Sequence, residues 1–229
     1  AVITGKDIPQ VEFGSMPGMV DEWALAHNKV RFVGDEVAAV AALTEEIAER
    51  ACELIEVEYE MLEPVFDPEH AMDPGAPVIH DKWPNNCSVH VHKEYGDVEK
   101  GFEAADHIRA DRFTTQQISH VALEPHCCIA YWEGERVNIV AAKHAPFMFR
   151  RTFAKAMDMD EGDVRVISPT IGGAFGNKVE VFAMDVCAAV LSRLTGRPVK
   201  FHLTREESIT ALRARHPFII DIKTGVKKD

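Results

Sequence analysis

A chain of 229 residues, 46% hydrophobic and 27% charged, can bury the core of one large domain or of two modest ones. A formal net charge of -12 argues against a nucleic-acid polyanion or an anionic membrane surface as partner, while leaving room for a small anion held by backbone amides. Charge interrupts every long apolar run before about 18 residues, and the five cysteines contain no C-x-x-C pair, so neither a membrane helix nor iron–sulfur ligation is expected in this chain.

The chain opens on AVITGKDIP, a β-like run already in progress. Residues 24–43 hold two β-branched or small apolar runs on either side of Gly34-Asp35, a turn signal that predicts two strands. Thr44 is a candidate N-cap, with Glu45 and Glu46 in the first turn, where the helix dipole favours negative charge. Ile47, Ala48, Ala51, Leu54 and Ile55 then fall on one helical face and are expected to be its buried side. In EVEYEML, Val57, Tyr59 and Met61 alternate with glutamates, the pattern of a half-exposed strand. Pro64, Pro68, Pro74, Pro77 and Pro84 follow at a density that precludes regular elements, and a domain boundary is placed near residue 80.

Asp97 begins the second half as the cap of a short helix with Val98, Phe102 and Ala105 inward. Strands are predicted at 107–114, 121–132 and 136–142, the last two joined by a turn at Glu133-Gly134. Residues 147–157 read as a helix with Phe149, Phe153 and Met157 on one stripe, and VRVISP as a strand. A helix over 179–195 carries Phe182, Val186, Ala189, Val190 and Leu194 inward and is stopped by Gly196, with Pro198 beyond. VKFHL and FIIDI close the set of strands, making the fold α+β. No positively charged apolar leader opens the chain, and both ends read as strands, so a fragment or one piece of a split subunit is expected. The cysteine usage points to reduced thiols in the cytoplasm.

Between VRVISP and the following helix lies GGAFGNK, which reads either as a cradle for a ligand or as a tight strand-to-helix turn. It is not a Walker loop, because Asn177 stands at the second glycine and Val179 at the magnesium-binding hydroxyl. Nor is it a dinucleotide fingerprint, since Gly172, Gly173 and Gly176 have the wrong spacing. In TTQQISHVALEPHCC, Glu124, His126 and Cys128 share a face by period two, and Glu124 reads as a structural carboxylate. His120 and His126 with a cysteine lack the close pairing of a zinc site, and His90 and His92 with Cys87 read as a solvated strand face. Arg205, Arg213, Arg215 and His216 are expected to pair with Glu206, Glu207 and other carboxylates, and no nucleophile–base pair stands out.

HNKVRFVGDEVAAVAALTEEIAERACELIEVEYEMLEPVFDP, GDVEKGFEAADH, HVALEPHCCIAYWEG, VRVISPTIGGAFGNK and GRPVKFHLTREESITALRARHPF resemble, in order and spacing, segments of one family. It is the molybdenum-binding large subunit of the molybdenum hydroxylases, which include xanthine dehydrogenase and aldehyde oxidase. The resemblance implies an α+β chain in two parts: part of an α/β hammerhead domain with linker over 1–80, then the first part of the mixed α/β molybdenum cofactor-binding domain over 81–229. GGAFGNK corresponds to the family's G-G-G-F-G-G-K loop, so Gly173, Ala174, Phe175 and Gly176 are expected to meet the molybdenum–molybdopterin cofactor through main-chain N–H groups. Many members carry a glutamine near the L-E motif that bonds a molybdenum oxygen; Ile118 occupies that position here and Gln117 lies one residue earlier, and both are taken as candidate contacts. No metal ligand and no catalytic base is expected in this chain, because the family's base, a glutamate, comes later than residue 229.

The function the resemblance implies is oxidation of an aldehyde or an aromatic N-heterocycle, with water as oxygen donor. Electrons would pass to Fe-S clusters and FAD on partner chains, and the expected partners are the rest of the molybdopterin subunit, an Fe-S subunit, an FAD subunit and a small-molecule substrate. Because Val179 rather than a glutamate follows Lys178, a purine substrate is not expected. The alternative is a non-catalytic piece that folds and packs but binds no cofactor alone.

Overall fold

The computed structural model describes residues 1–14 and 20–228. In chain order the elements begin with β1 (Val2–Thr4), β2 (Ala38–Val40), α1 (Glu45–Cys52), α2 (Val98–Glu103), β3 (His107–Thr114), β4 (Cys127–Glu133) and β5 (Arg136–Ala141). They continue with α3 (Pro146–Ala156), β6 (Val164–Ile167), α4 (Ala183–Thr195), β7 (Val199–His202), α5 (Arg205–Thr210) and β8 (Ile219–Val226). The chain divides into two compact units, one made of Ala1–Val89 with Val121–Leu212, the other of His90–His120 with the residues from Arg213 on. The proline-rich crossing lies within the first unit.

The first unit is organised on a mixed four-stranded sheet in the order β6-β5-β4-β7. The β4–β5 hairpin closes with Glu133 opposite Arg136, and Gly134 takes the left-handed conformation (φ 62°) that this short turn requires. From β5 the chain crosses through α3 into β6, which pairs parallel to β5 as a βαβ unit. Phe149 and Phe153, four residues apart on α3, stack with ring centroids 5.6 Å apart and are fully buried. Helix α4 is enclosed from Ala183 to Ala189 on all faces, wider than the stripe expected from its sequence, and Leu194 at its end is exposed. Gly196 ends it at φ 65°, donating to the Ser192 carbonyl. β1 and β2 form a separate antiparallel pair.

In the second unit β3 and β8 form an eight-residue antiparallel ladder, His107 opposite Val226 through Thr114 opposite Ile219. Helix α2 packs near its end, where Gly225 admits the turn: a Cβ there would stand 3.0 Å from the Ala105 Cβ. Asp97 caps α2 by accepting the Lys100 amide at 3.0 Å.

Several expectations are corrected. EVEYEML forms no strand, because no backbone among the described residues pairs with it; Met61 is 88% exposed. Of the two strands expected within 24–43, only β2 forms. Thr44 does cap α1, but that helix buries none of its residues, so its apolar stripe lacks a partner layer. α2 likewise buries nothing fully. The strand expected at 121–132 starts only at Cys127, after an irregular stretch in which Val121 has φ 44°. The helix expected from 179 starts at Ala183, because residues 177–182 are taken up in anchoring the glycine bend. No helix among the described residues is long and apolar enough to cross a membrane.

Candidate functional site

The bend at 172–177 leaves β6 and enters α4, and its backbone follows from its residues. Gly173 (φ 96°) and Gly176 (φ 104°) occupy left-handed conformations that glycine adopts without strain. Phe175 sits between them at φ 53°, where a bulky side chain costs about 1–3 kcal/mol, and its ring is 76% exposed. Gly172 has a different reason to be glycine: a Cβ there would stand 2.6 Å from the Glu124 Cβ.

A brace holds this conformation. Glu124 meets Gly172 twice, its amide donating to the Gly172 carbonyl at 3.1 Å and its carboxylate accepting the Gly172 amide at 2.8 Å. Lys178, only 1% exposed, closes the bend from the other end: its Nζ donates to the Glu124 carboxylate at 2.5 Å and to the Glu124 carbonyl at 3.0 Å. Partial burial would raise the Glu124 carboxyl, but the Lys178 ammonium and the Gly172 amide outweigh it and hold the group below the usual carboxylate range. His126 Nε2 donates to the Asn177 carbonyl at 3.1 Å, which leaves Nδ1 buried without a partner. Burial pushes this histidine down to about 4, so it is neutral near pH 7.

A second buried lysine anchors the following helix. Lys143 Nζ donates to the Asp185 carboxylate at 2.7 Å and to the Glu180 carbonyl at 2.8 Å; Lys143 is 2% exposed and Asp185 is fully enclosed. The same Asp185 oxygen accepts the Phe182 amide at 2.9 Å, satisfying an orphan donor of the helix start. The Lys143 ammonium also lies 4.5 Å from the Phe149 ring centroid.

With both ends fixed, the middle of the bend is free. The amides of Gly173, Ala174, Phe175 and Gly176 donate to no protein acceptor among the described residues. Four donors without a protein acceptor, beside an exposed aromatic side chain, could serve a group that offers hydrogen-bond acceptors. The bend itself holds no acid or base.

Of the residues singled out from the sequence, Gly173, Ala174, Phe175 and Gly176 are therefore contiguous, and their amides have no protein acceptor among the described residues. Gln117 and Ile118 lie in the other compact unit, where Ile118 exchanges backbone hydrogen bonds with Arg215. Arg205 donates to the Leu123 carbonyl at 2.9 Å rather than pairing with Glu206 or Glu207. Among the described residues no group of three or more His, Cys, Asp or Glu could hold a metal ion, and the five cysteines are free. Sequence reasoning missed Lys143 and Asp185, although each is a lone charge in an apolar run (VNIVAAKHAPF and VFAMDVCAAVL), which is a signal of buried pairing.

The bend thus offers main-chain donors without protein acceptors, and no metal-ligating cluster stands among the described residues. Residues 79–229 match the molybdopterin cofactor-binding domain, and residues 1–63 match the a/b hammerhead domain of aldehyde oxidase and xanthine dehydrogenase. The chain belongs to this family. It is 39% identical over 227 residues to a probable xanthine dehydrogenase subunit of Bacillus subtilis, covering 98% of this chain and 30% of that protein. It is 35% identical over 212 residues to the nicotinate dehydrogenase large molybdopterin subunit of Eubacterium barkeri, covering 91% of this chain and 49% of the relative. The crystal structure of quinoline 2-oxidoreductase from Pseudomonas putida 86 superposes with a TM-score of 0.88 at 25% identity, over 99% of this chain and 30% of that one. The chain thus spans between about a quarter and a half of the relatives it matches.

Proposed function

We propose that this chain is part of a molybdenum hydroxylase and that residues 173–176 hold its molybdopterin cofactor through main-chain N–H groups. The observation that carries the reading is the set of four unused amides on a bend braced at both ends. When bound, the cofactor supplies the two-electron oxidation that places an oxygen from water on the substrate. The bend's part is to aim fixed dipoles at the cofactor's acceptor atoms, with no reorganisation needed when charge develops there. Phe175 shields that edge from water, and Glu124 with Lys178 holds the backbone of the bend in which Phe175 keeps its unfavourable φ. Because the bend carries no titratable group, any proton must be handled by residues outside it.

The domain division is proposed as hammerhead sequence with linker over 1–80 and cofactor-domain sequence over 81–229, consistent with the two family matches. Gln117 and Ile118 are proposed as further cofactor contacts on the family pattern. For the whole protein the reading is a cytoplasmic complex with the rest of the molybdopterin subunit and with Fe-S and FAD partner chains. An aromatic N-heterocycle is favoured over an aldehyde as substrate, because two of the relatives named above are a nicotinate and a quinoline enzyme. Val179 after Lys178 makes a purine the less favoured ring.

The test is the molybdenum and pterin content of the native assembly, by elemental analysis and by fluorescence of the released pterin. Wild type should carry both, and Gly173→Val, which puts a branched side chain at φ 96° against the Phe175 ring, should lose both. A native assembly without pterin would leave this chain a packing module and end the proposal. Loss of pterin in Gln117→Ala would assign Gln117 as well, and retention there would remove it.

A further inference from the structure

Along the β6 edge of the mixed sheet, between that strand and α3, lies a cavity of about 320 Å³ that the bend does not touch. Arg136, Arg150 and Arg165 line it, together with Phe147, Val164 and Val166. No carboxylate is among its lining residues, although the chain carries 37 Asp and Glu against 25 Lys and Arg. Three positive groups with no carboxylate among the lining residues are the reverse of what the overall composition would place there.

Only one of the three arginines has a carboxylate partner among the described residues. Arg136 and Arg165 are exposed and form no ion pair among the described residues. Arg150 reaches only Glu161, at 3.5 Å, and that carboxylate is shared with Arg151 at 3.7 Å. The Arg150 Nε is buried with no hydrogen-bond partner, a donor that a bound acceptor would satisfy. Like charges gathered at one concave site repel, and an anion that binds there relieves the repulsion.

We propose that this cavity is a binding site for a phosphate group, either free or as the monoester of a small molecule. Guanidinium forks match the oxygens of a phosphate in bidentate geometry, and a dianion answers the charge of three arginines better than a single carboxylate does. The volume admits a phosphate with a small organic group attached, and the exposed Phe147 ring supplies an apolar wall for that group. None of the lining residues belongs to the bend or its brace, so the site stands or falls independently of the cofactor reading.

Calorimetric titration of the full chain with inorganic phosphate and with ribose 5-phosphate, at ionic strength held constant with chloride, tests it. The expected result is saturable binding with one site per chain, no heat from ribose, and weakening as chloride is raised. Arg136→Ala and Arg165→Ala should each weaken binding about tenfold, and Arg165→Lys should retain part of it. Both positions are exposed, so thermal unfolding of these variants should match wild type and show that the fold is intact. Tighter binding of ribose 5-phosphate assigns the ester, and equal binding assigns free phosphate. Absence of saturable binding by either probe, or binding that survives the Arg136→Ala/Arg165→Ala double substitution, would overturn the proposal.

Discussion

The sheet around α4 and the β3–β8 ladder use similar residues to opposite ends. In the first, Val137, Ile139, Val186 and Leu191 are fully enclosed, and two lysines are drawn inside with carboxylate partners. In the second, Ile108, Phe113, Ile222 and Val226 are exposed along a regular eight-residue pairing. The register of the ladder is unbroken over all eight residues of each strand. What differs is the layer above: helices cover the mixed sheet, whereas the ladder has one short helix near its end. Strand pairing alone therefore does not bury a β-branched side chain; a second layer does.

The sharpest way to break this contrast is to remove one partner of a buried pair. Lys143→Met leaves the enclosed Asp185 carboxylate without its ammonium and should cost about 3–5 kcal/mol in urea unfolding. The Lys143→Met/Asp185→Leu double variant should recover much of that, because it removes the stranded charge. If the single substitution costs no more than removal of a surface pair, the claim that the two regions differ in kind is lost.

His126 offers a pH test of the same contrast. Its folded-state value near 4 lies below the ordinary 6.5, so its contribution is fully present above about pH 6.5 and is lost as pH falls from there towards 4. The full span corresponds to roughly 3 kcal/mol. Unfolding midpoints measured across that range should fall for wild type and stay flatter for His126→Gln. Glu36 should act with the opposite sign: burial raises its carboxyl to about 7, so its contribution is lost as pH rises from about 4.5 towards 7. Glu36→Gln should then gain stability at pH 8.

Smaller effects separate the brace from the ladder. Glu124→Gln weakens the charged bond to Lys178 and should cost about 2 kcal/mol, with faster hydrogen exchange at the Gly172 amide. In the other unit, Asp97→Ala removes the α2 cap for about 1 kcal/mol. Arg112→Ala, which loses an exposed cross-strand contact to Asp221, should cost under about 1 kcal/mol. Exchange faster in the brace of wild type than in the ladder would contradict the ordering.

Much of the site is legible in the order of residues. The glycine spacing at 172–176 excludes the nucleotide loops, and the positions needing left-handed backbone, Gly173 and Gly176, are among the candidate contacts. The presence of Phe175 in that conformation is not legible, since nothing local favours it. Glu124 reads as structural, but its partner 54 residues away carries no local sign. Elements with local signals are placed well: the Thr44 and Asp97 caps, the Glu133-Gly134 hairpin and the Gly196 stop all form. Elements argued from alternation alone, above all Val57, Tyr59 and Met61, are the ones that fail, because alternation requires a neighbouring strand to be realised.

By itself, then, the amino-acid order determined the caps, turns, family motifs and conformational demands of single residues, which arise from sterics and hydrogen bonds within a few positions of one another. Tertiary structure alone decided which apolar faces are covered, that Lys143 finds Asp185 across 42 residues, and that four amides of the bend are left over. Those outcomes depend on desolvation and on which groups lie beside each other once the chain is packed, and neither quantity is a property of a short stretch of sequence.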